Sequence, residues 1–447
     1  MINRRKSPAT FLTKLLSHAK AAGEPFATMK VLFKWLLICV LVGLMAGSAS
    51  AFFLTSLRWV TAFRESHTWI IWFLPFGGLG VGLLYHYYGG RANGGNILLK
   101  KEIRHPEKVI PLLMAPLVLL GTLITHLLGG SAGREGTAMQ MGGAMADQLT
   151  HLFRLRPSDR KILLITGISA GFASLFGTPL AGAAFGIEVF LLGRTRYGAL
   201  LPSLLAAVIG HYTCLSWGVG HMHFSIPFVP TLAVPSILYA LGAGAIYGLA
   251  GMLFSRSTHY FTRIFRKHIA FPPLRPLMGG AVIAVTVWLI GTTKYIGLGL
   301  PTILAAFQTP QPWYDFLIKT LLTAFTLGAG FKGGEVTPLF FVGASLGNAL
   351  AQEIPLPMAL LAGMGLVAVF SGATNAPLSC TIMAVELFGI ETMPFMALAC
   401  ATAYLFSGQT GIYGPQEVGT PKHFIYARLT GKRLDKIGES DGNAGSI

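Results

Sequence analysis

Apolar runs free of Asp, Glu, Lys and Arg recur along this chain, at Trp35 to Leu57, Ser66 to Gly90, Val109 to Gly133 and Thr392 to Gln416. The run from Tyr197 to Ser255 is long enough for two or more crossings. A bilayer core about 30 Å thick takes about 20 apolar residues of helix, and lipid admits only structures that satisfy their own backbone polar groups. The chain is therefore expected to be an all-α, polytopic membrane protein. With 53% hydrophobic and 11% charged residues, an ordinary soluble enzyme is excluded. The first run is too long for a signal-peptide core and has no obvious cleavage site, so it is expected to be kept as a span, the mature chain starting near Met1. Cys39, Cys214, Cys380 and Cys400 lack paired spacing and read as small core residues. No disulfide framework, metal site or cofactor is expected.

The net charge of +17 is concentrated between the apolar runs: Arg4, Arg5 and Lys6; Lys100 to Lys108; Arg154 to Lys161; Arg194 and Arg196; Arg256 to Arg275. Membrane topology accounts for this better than nucleic acid, which is not an expected partner. These clusters are expected to be cytoplasmic, as are both termini, with the protein in the cell (plasma) membrane. The expected organisation is a basic tail over 1–34, a first membrane repeat over 35–230, a second over 231–430 and a short polar tail over 431–447.

Two glutamates interrupt the apolar sequence in glycine-rich breaks, Gly133-Arg134-Glu135-Gly136-Thr137 and Gly333-Gly334-Glu335-Val336-Thr337-Pro338. An ionisable group at membrane depth is costly and marks a functional site by default. A shift of 200 positions pairs Glu135 with Glu335, Thr137 with Thr337, Gly143 with Gly343 and Ala144 with Ala344. A second block, Pro179 to Glu188, matches Pro377 to Glu386 with nine positions from proline to glutamate in each. Arg154, Arg156, Arg160 and Lys161 follow the first copy, whereas no Lys or Arg lies between Lys332 and Lys422, so the repeat is expected to be inverted. Inverted repeats place an anion site near the bilayer midplane, where broken helices aim their N-termini. Thr337 reads as an N-cap and Pro338 as the first residue of a helix to Leu350. Gly133 and Gly136 read as a tight turn before a helix from Thr137 to Leu149. Such termini bind anions through free N–H groups and the helix dipole.

The GREG motif at 133–136, the helix opening at 333–338, the segment AGFASLFGTPLAGAAFGIE ending at Glu188, and Tyr413 stand in the order seen in the CLC family of anion channels and anion/proton antiporters, which the chain resembles over its membrane portion. The strings GREGTAMQMGG and GFKGGEVTPLFF resemble its fluoride-selective branch. Three departures from chloride-handling members accompany them. Gly94-Gly95-Asn96-Ile97-Leu98 stands where those members carry a serine motif, Val189 stands where antiporters carry an inner glutamate, and no regulatory domain is expected after the last span. The resemblance implies that Glu135 is the gating glutamate and proton carrier. It implies an anion site formed by Gly133, Arg134, Gly136, Thr137, Asn96, Thr337 and Tyr413, with Glu335, Val336 and Phe340 on the coupling pathway. It also implies a homodimer with a separate pathway in each subunit.

The chemistry fits fluoride, a small ion that needs several good donors to replace its water. A neighbouring carboxylate repels it when charged and admits it when protonated, so protons and fluoride are the expected partners. The expected function is proton-driven fluoride export; the alternatives are a chloride-preferring antiporter or an uncoupled anion channel. An intramembrane enzyme is not expected, because no serine or histidine of this chain sits in a catalytic motif. More modest readings apply elsewhere: Glu188 and Glu386 as structural caps, Arg134 as an ion-pair partner of Glu135, Lys332 as a neutraliser of Glu335, His126 as a hydrogen-bonded helix residue, Phe340 and Phe341 as packing, and His211, His221 and His223 as a polar loop.

Overall fold

The computed structural model describes residues 25–189, 191–192, 197–222, 224–408, 411–413, 417–418 and 422. Arg4, Arg5, Lys6, Arg194, Arg196, His223 and the tail 431–447 lie outside them. Among the described residues the chain forms 16 α-helices. The one ladder is two residues long, Leu191–Leu192 parallel to Glu417–Val418.

The helices are α1 (Pro25–Ser66), α2 (Leu74–Tyr88), α3 (Gly95–Arg104), α4 (Met114–Leu128), α5 (Glu135–Leu152), α6 (Pro157–Phe176), α7 (Pro179–Glu188), α8 (Leu200–Ser216), α9 (Val234–His268), α10 (Leu274–Ile290), α11 (Leu300–Ala305), α12 (Asp315–Gly328), α13 (Val336–Leu350), α14 (Met358–Thr374), α15 (Pro377–Phe388) and α16 (Met393–Phe406). The run from Tyr197 to Ser255 does hold two helices, α8 and the start of α9. Residues 25–34, read as tail, are already helical.

Among the described residues, three segments are long and apolar enough to cross a membrane: Met29–Ser66, Thr68–Tyr88 and Val234–His268. Others are short. At 1.5 Å per residue α7 and α15 reach only about 15–18 Å, half of a bilayer core. Such helices end in apolar surroundings and need partners for their free N–H groups. Their starts are set by sequence: α6 ends on left-handed Gly177 and α14 on left-handed Asn375, and Thr178-Pro179 and Ala376-Pro377 restart the chain as α7 and α15.

The two halves then cap each other. Glu188, at the end of α7, accepts hydrogen bonds from the N–H groups of Leu378 (3.2 Å) and Ser379 (2.8 Å) and from the Ser379 hydroxyl. Glu386, near the end of α15, accepts the N–H groups of Leu180 and Ala181, both at 2.8 Å. Both glutamates are therefore caps, each serving the opposite copy.

Close helix contacts rest on small residues, as in membrane packing generally. Gly142 of α5 meets Gly167 and Gly171 of α6, and Gly343 and Gly347 of α13 meet Gly365 and Leu361 of α14, with backbone where a Cβ would lie. Large apolar side chains, among them Trp59, Trp288 and Leu289, face outward, as lipid requires.

The Lys100–Lys108 and Arg154–Lys161 clusters come together. Buried Arg160 bonds Asp147 through Nε and Nη2 (both 2.7 Å), Glu102 (3.0 Å) and the Lys108 carbonyl (2.9 Å). His211 lies in α8, not in a loop, stacked on His221 at 5.4 Å.

Candidate functional site

The two glycine-rich breaks meet. Gly133 and Gly334 form an isolated antiparallel bridge, with Gly133 N–H donating to the Gly334 carbonyl at 2.6 Å and the reverse bond at 2.8 Å. The N-termini of α5 and α13 are thereby brought together. Gly334 has to be small: a Cβ there would lie 2.8 Å from the Gly136 nitrogen and 3.0 Å from that of Glu135.

Both helices start two residues earlier than expected. α13 is capped at Glu335 and begins at Val336, so Thr337 and Pro338 lie in its first turn; α5 begins at Glu135, which puts Gly136 inside it. Arg134 (φ −119°, ψ −17°) and Glu335 (φ −101°, ψ −19°), directly after the bridged glycines, already have right-handed helical dihedrals, so both helices begin before the threonines are reached.

Glu135 is fully buried. Its carboxylate lies across the start of α13, accepting the Thr337 N–H at 3.1 Å, the Thr337 hydroxyl, and the Arg134 N–H at 3.0 Å. A negative group here has the charge-assisted bonds and positive dipole end that stabilise it. The same donors suit a free anion, so carboxylate and anion are alternatives for one set of N–H and O–H groups.

Arg134 is not a close ion-pair partner: its Nε lies 3.9 Å from Glu135 Oε1, and that buried nitrogen has no hydrogen-bond partner among the described residues. Lys332 does not neutralise Glu335; its ammonium stands 4.0 Å over the Tyr85 ring. Glu335 is half-buried at the head of α13 and caps it by position, without a side-chain bond to the helix.

Asn96 is the second residue of α3. Gly95, the first, holds φ +47° and ψ −129°, a conformation essentially restricted to glycine. This brings Asn96 Nδ2 to 3.6 Å from where a Cβ of Gly136 would lie, and Asn96 Oδ1 is buried without a partner among the described residues. Tyr413 is buried, with its hydroxyl 3.9 Å from the sulfur of Met139, one turn along α5 from Glu135. Its ring meets Phe185 edge-on at 6.0 Å. Thr137 hydrogen-bonds Thr122 of α4 at 2.6 Å.

Val336 and Phe340 are buried. Phe340 packs at 5.3 Å on Phe176 and 5.5 Å on Phe370, and Phe172, Phe185 and Phe370 stack beside them. Phe341 faces Lys319, 5.3 Å from the ammonium. His126 is a hydrogen-bonded helix residue of α4, Nε2 to the Gly133 carbonyl at 3.4 Å. The site thus unites Glu135, Thr337, Arg134, Gly133, Gly136 and Asn96, with Tyr413 beside α5. Gly334, Thr122 and Met139 were not foreseen; the doubled glycine at 333–334 was the only local signal for the first.

Known proteins resemble this chain in sequence and in fold. The family model described as voltage gated chloride channel matches residues 77–408. A Chloride/fluoride channel protein of Pseudomonas syringae pv. tomato is 52% identical over 406 residues, covering 90% of each chain. A crystal structure of a CLC-type fluoride/proton antiporter is 38% identical with a TM-score of 0.83, covering 86% of this chain and 97% of its own. A slow cyanobacterial Cl⁻/H⁺ antiporter, 20% identical, shares the fold at a TM-score of 0.72 over 92% of this chain and 98% of its own.

Proposed function

This chain belongs to the voltage gated chloride channel family, the CLC family, and from that premise we propose that it is a fluoride/proton antiporter of the cell membrane, exporting fluoride against an inward proton flow with Glu135 as gate and proton carrier. One observation carries the proposal: the Glu135 carboxylate occupies the donors at the head of α13 that an anion would use. In this reading an arriving fluoride takes the Thr337 N–H and hydroxyl as the carboxylate leaves. Leaving those donors for a less polar place favours protonation of the carboxylate, because an unpaired buried charge is costly. The proton then travels with the side chain while the anion passes the other way.

The remaining anion ligands in this proposal are Asn96, Tyr413 and the backbone at 133–137. Fluoride is supported over chloride by the hydroxyl-and-amide donor set and by the likeness to the crystal structure of a CLC-type fluoride/proton antiporter. Glu335 would border the same pathway. We further propose two repeats over 35–230 and 231–430, cytoplasmic termini, and a homodimer with one pathway per subunit. The name of the Pseudomonas relative favours a second reading, an uncoupled channel passing fluoride or chloride.

Proteoliposome efflux read with fluoride, chloride and pH electrodes tests both. Fluoride flux that drives uphill proton movement, lost in Glu135→Gln, supports the antiporter. Comparable chloride flux, or fluoride flux without a linked proton, moves the function to the channel or the chloride carrier.

A further inference from the structure

A cavity of about 290 Å³ lies against the gate motif but outside the donor set described above. It is walled by the second half of α1, the end of α6, residues 220–222 and residues 298–300, and it is lined by Arg58, Arg134 and His221 together with Leu54, Leu57 and Leu300. Arg58 and Glu65 are exposed, so the cavity opens at the surface. Arg134, nine-tenths buried, brings to it a guanidinium whose Nε has no hydrogen-bond partner among the described residues and only the longer 3.9 Å approach of Glu135. Arg58 donates one N–H to the Gly220 carbonyl at 2.6 Å, the one hydrogen bond its guanidinium makes among the described residues. The one lining carboxylate, Glu65, lies 3.3 Å from Arg64.

Size and chemistry together narrow the ligand. A water takes about 30 Å³ of liquid, so this space is far larger than a single small halide needs. Two guanidinium groups match the paired oxygens of an oxyanion better than a spherical ion. Leucine walls offer nothing to a fully hydrated ion but bury hydrocarbon, at about 0.8 kcal/mol per CH₂. The geometry points to a binding site for a small organic oxyanion, a carboxylate or sulfonate with a short hydrocarbon tail, seated between Arg58 and Arg134 and closing the mouth of the pathway next to Glu135. That it blocks transport rests on the proposed function; that it binds does not.

The test uses the full chain in detergent, titrated calorimetrically with pentane-1-sulfonate, methanesulfonate and pentan-1-ol. The sulfonate stays charged and carries no protons through lipid. The expected result is binding of pentane-1-sulfonate, with methanesulfonate (charge without tail) and pentanol (tail without charge) each weaker by on the order of tenfold or more. Arg58→Gln removes a charged donor and Thr61→Trp fills the cavity while leaving both arginines; each is expected to weaken pentane-1-sulfonate by on the order of tenfold. Absence of binding, equal binding of the two sulfonates, or binding untouched by both variants overturns the site. In proteoliposomes, pentane-1-sulfonate on the side of this mouth is expected to slow fluoride efflux of the unsubstituted protein and not of Thr61→Trp. If no fluoride/proton exchange is seen but the binding pattern holds, the proposed function fails and the site stands.

Discussion

Thr337 supplies two of the three hydrogen bonds that hold the Glu135 carboxylate, one from its amide and one from its hydroxyl. Thr337→Val keeps the shape and removes only the hydroxyl. A hydrogen bond to a charged group contributes about 1.5–3 kcal/mol, so fluoride turnover is expected to fall on the order of tenfold or more, whereas Thr337→Ser retains most of it; electrode-monitored efflux distinguishes them. At Gly334 the constraint is steric. A methyl group there meets two backbone nitrogens at 3.0 Å or less, so Gly334→Ala is expected to force the bridge open. The cost should be about 1–3 kcal/mol, seen as a lower Tm in detergent together with loss of coupled flux.

At the scale of elements, half-length helices exist only because something distant satisfies their ends. Glu188 and Glu386 exchange that service between α7 and α15, so Glu188 caps a helix 191 residues away and Glu386 one 205 residues away. Glu386→Ala leaves the Leu180 and Ala181 amides without their acceptor, and a lost cap costs about 0.5–2 kcal/mol. Thermal unfolding of the single and double Glu188/Glu386 variants checks this, with independent, additive losses expected for two separate caps. The ionic cluster at α3, α5 and α6 is a stiffer fastening. Arg160→Ala leaves Asp147, which has no exposure, without its guanidinium, and Glu102 with Arg91 alone, and breaking a buried pair costs about 3–5 kcal/mol; a large drop in Tm is expected, while Lys101→Ala at the exposed pair with Glu107 should change it little.

For the whole molecule, the proposed dimer with one pathway per subunit has a clear signature. A linked dimer carrying Glu135→Gln in one half is expected to keep about half the coupled flux if the pathways are independent; complete loss would mean a shared pathway. Much of the architecture was legible along the chain. Charge-free runs required membrane helices because lipid cannot solvate a bare backbone. Glutamates set in glycine breaks marked the candidate site because an ionisable group in apolar sequence is costly, and the matched blocks from Pro179 and Pro377 pointed to a repeat. These are local properties, carried by the residues themselves whatever they touch. What they touch was decided only by the fold. That the Glu135 carboxylate bonds Thr337 rather than the guanidinium of neighbouring Arg134, that Lys332 turns to Tyr85 and away from Glu335, and that Glu188 and Glu386 cap each other's repeats all depend on contacts between segments up to 206 residues apart. Hydrogen bonds and steric exclusion act over a few ångströms, and the distances that matter to them are set by helix packing, which adjacency in the chain does not encode.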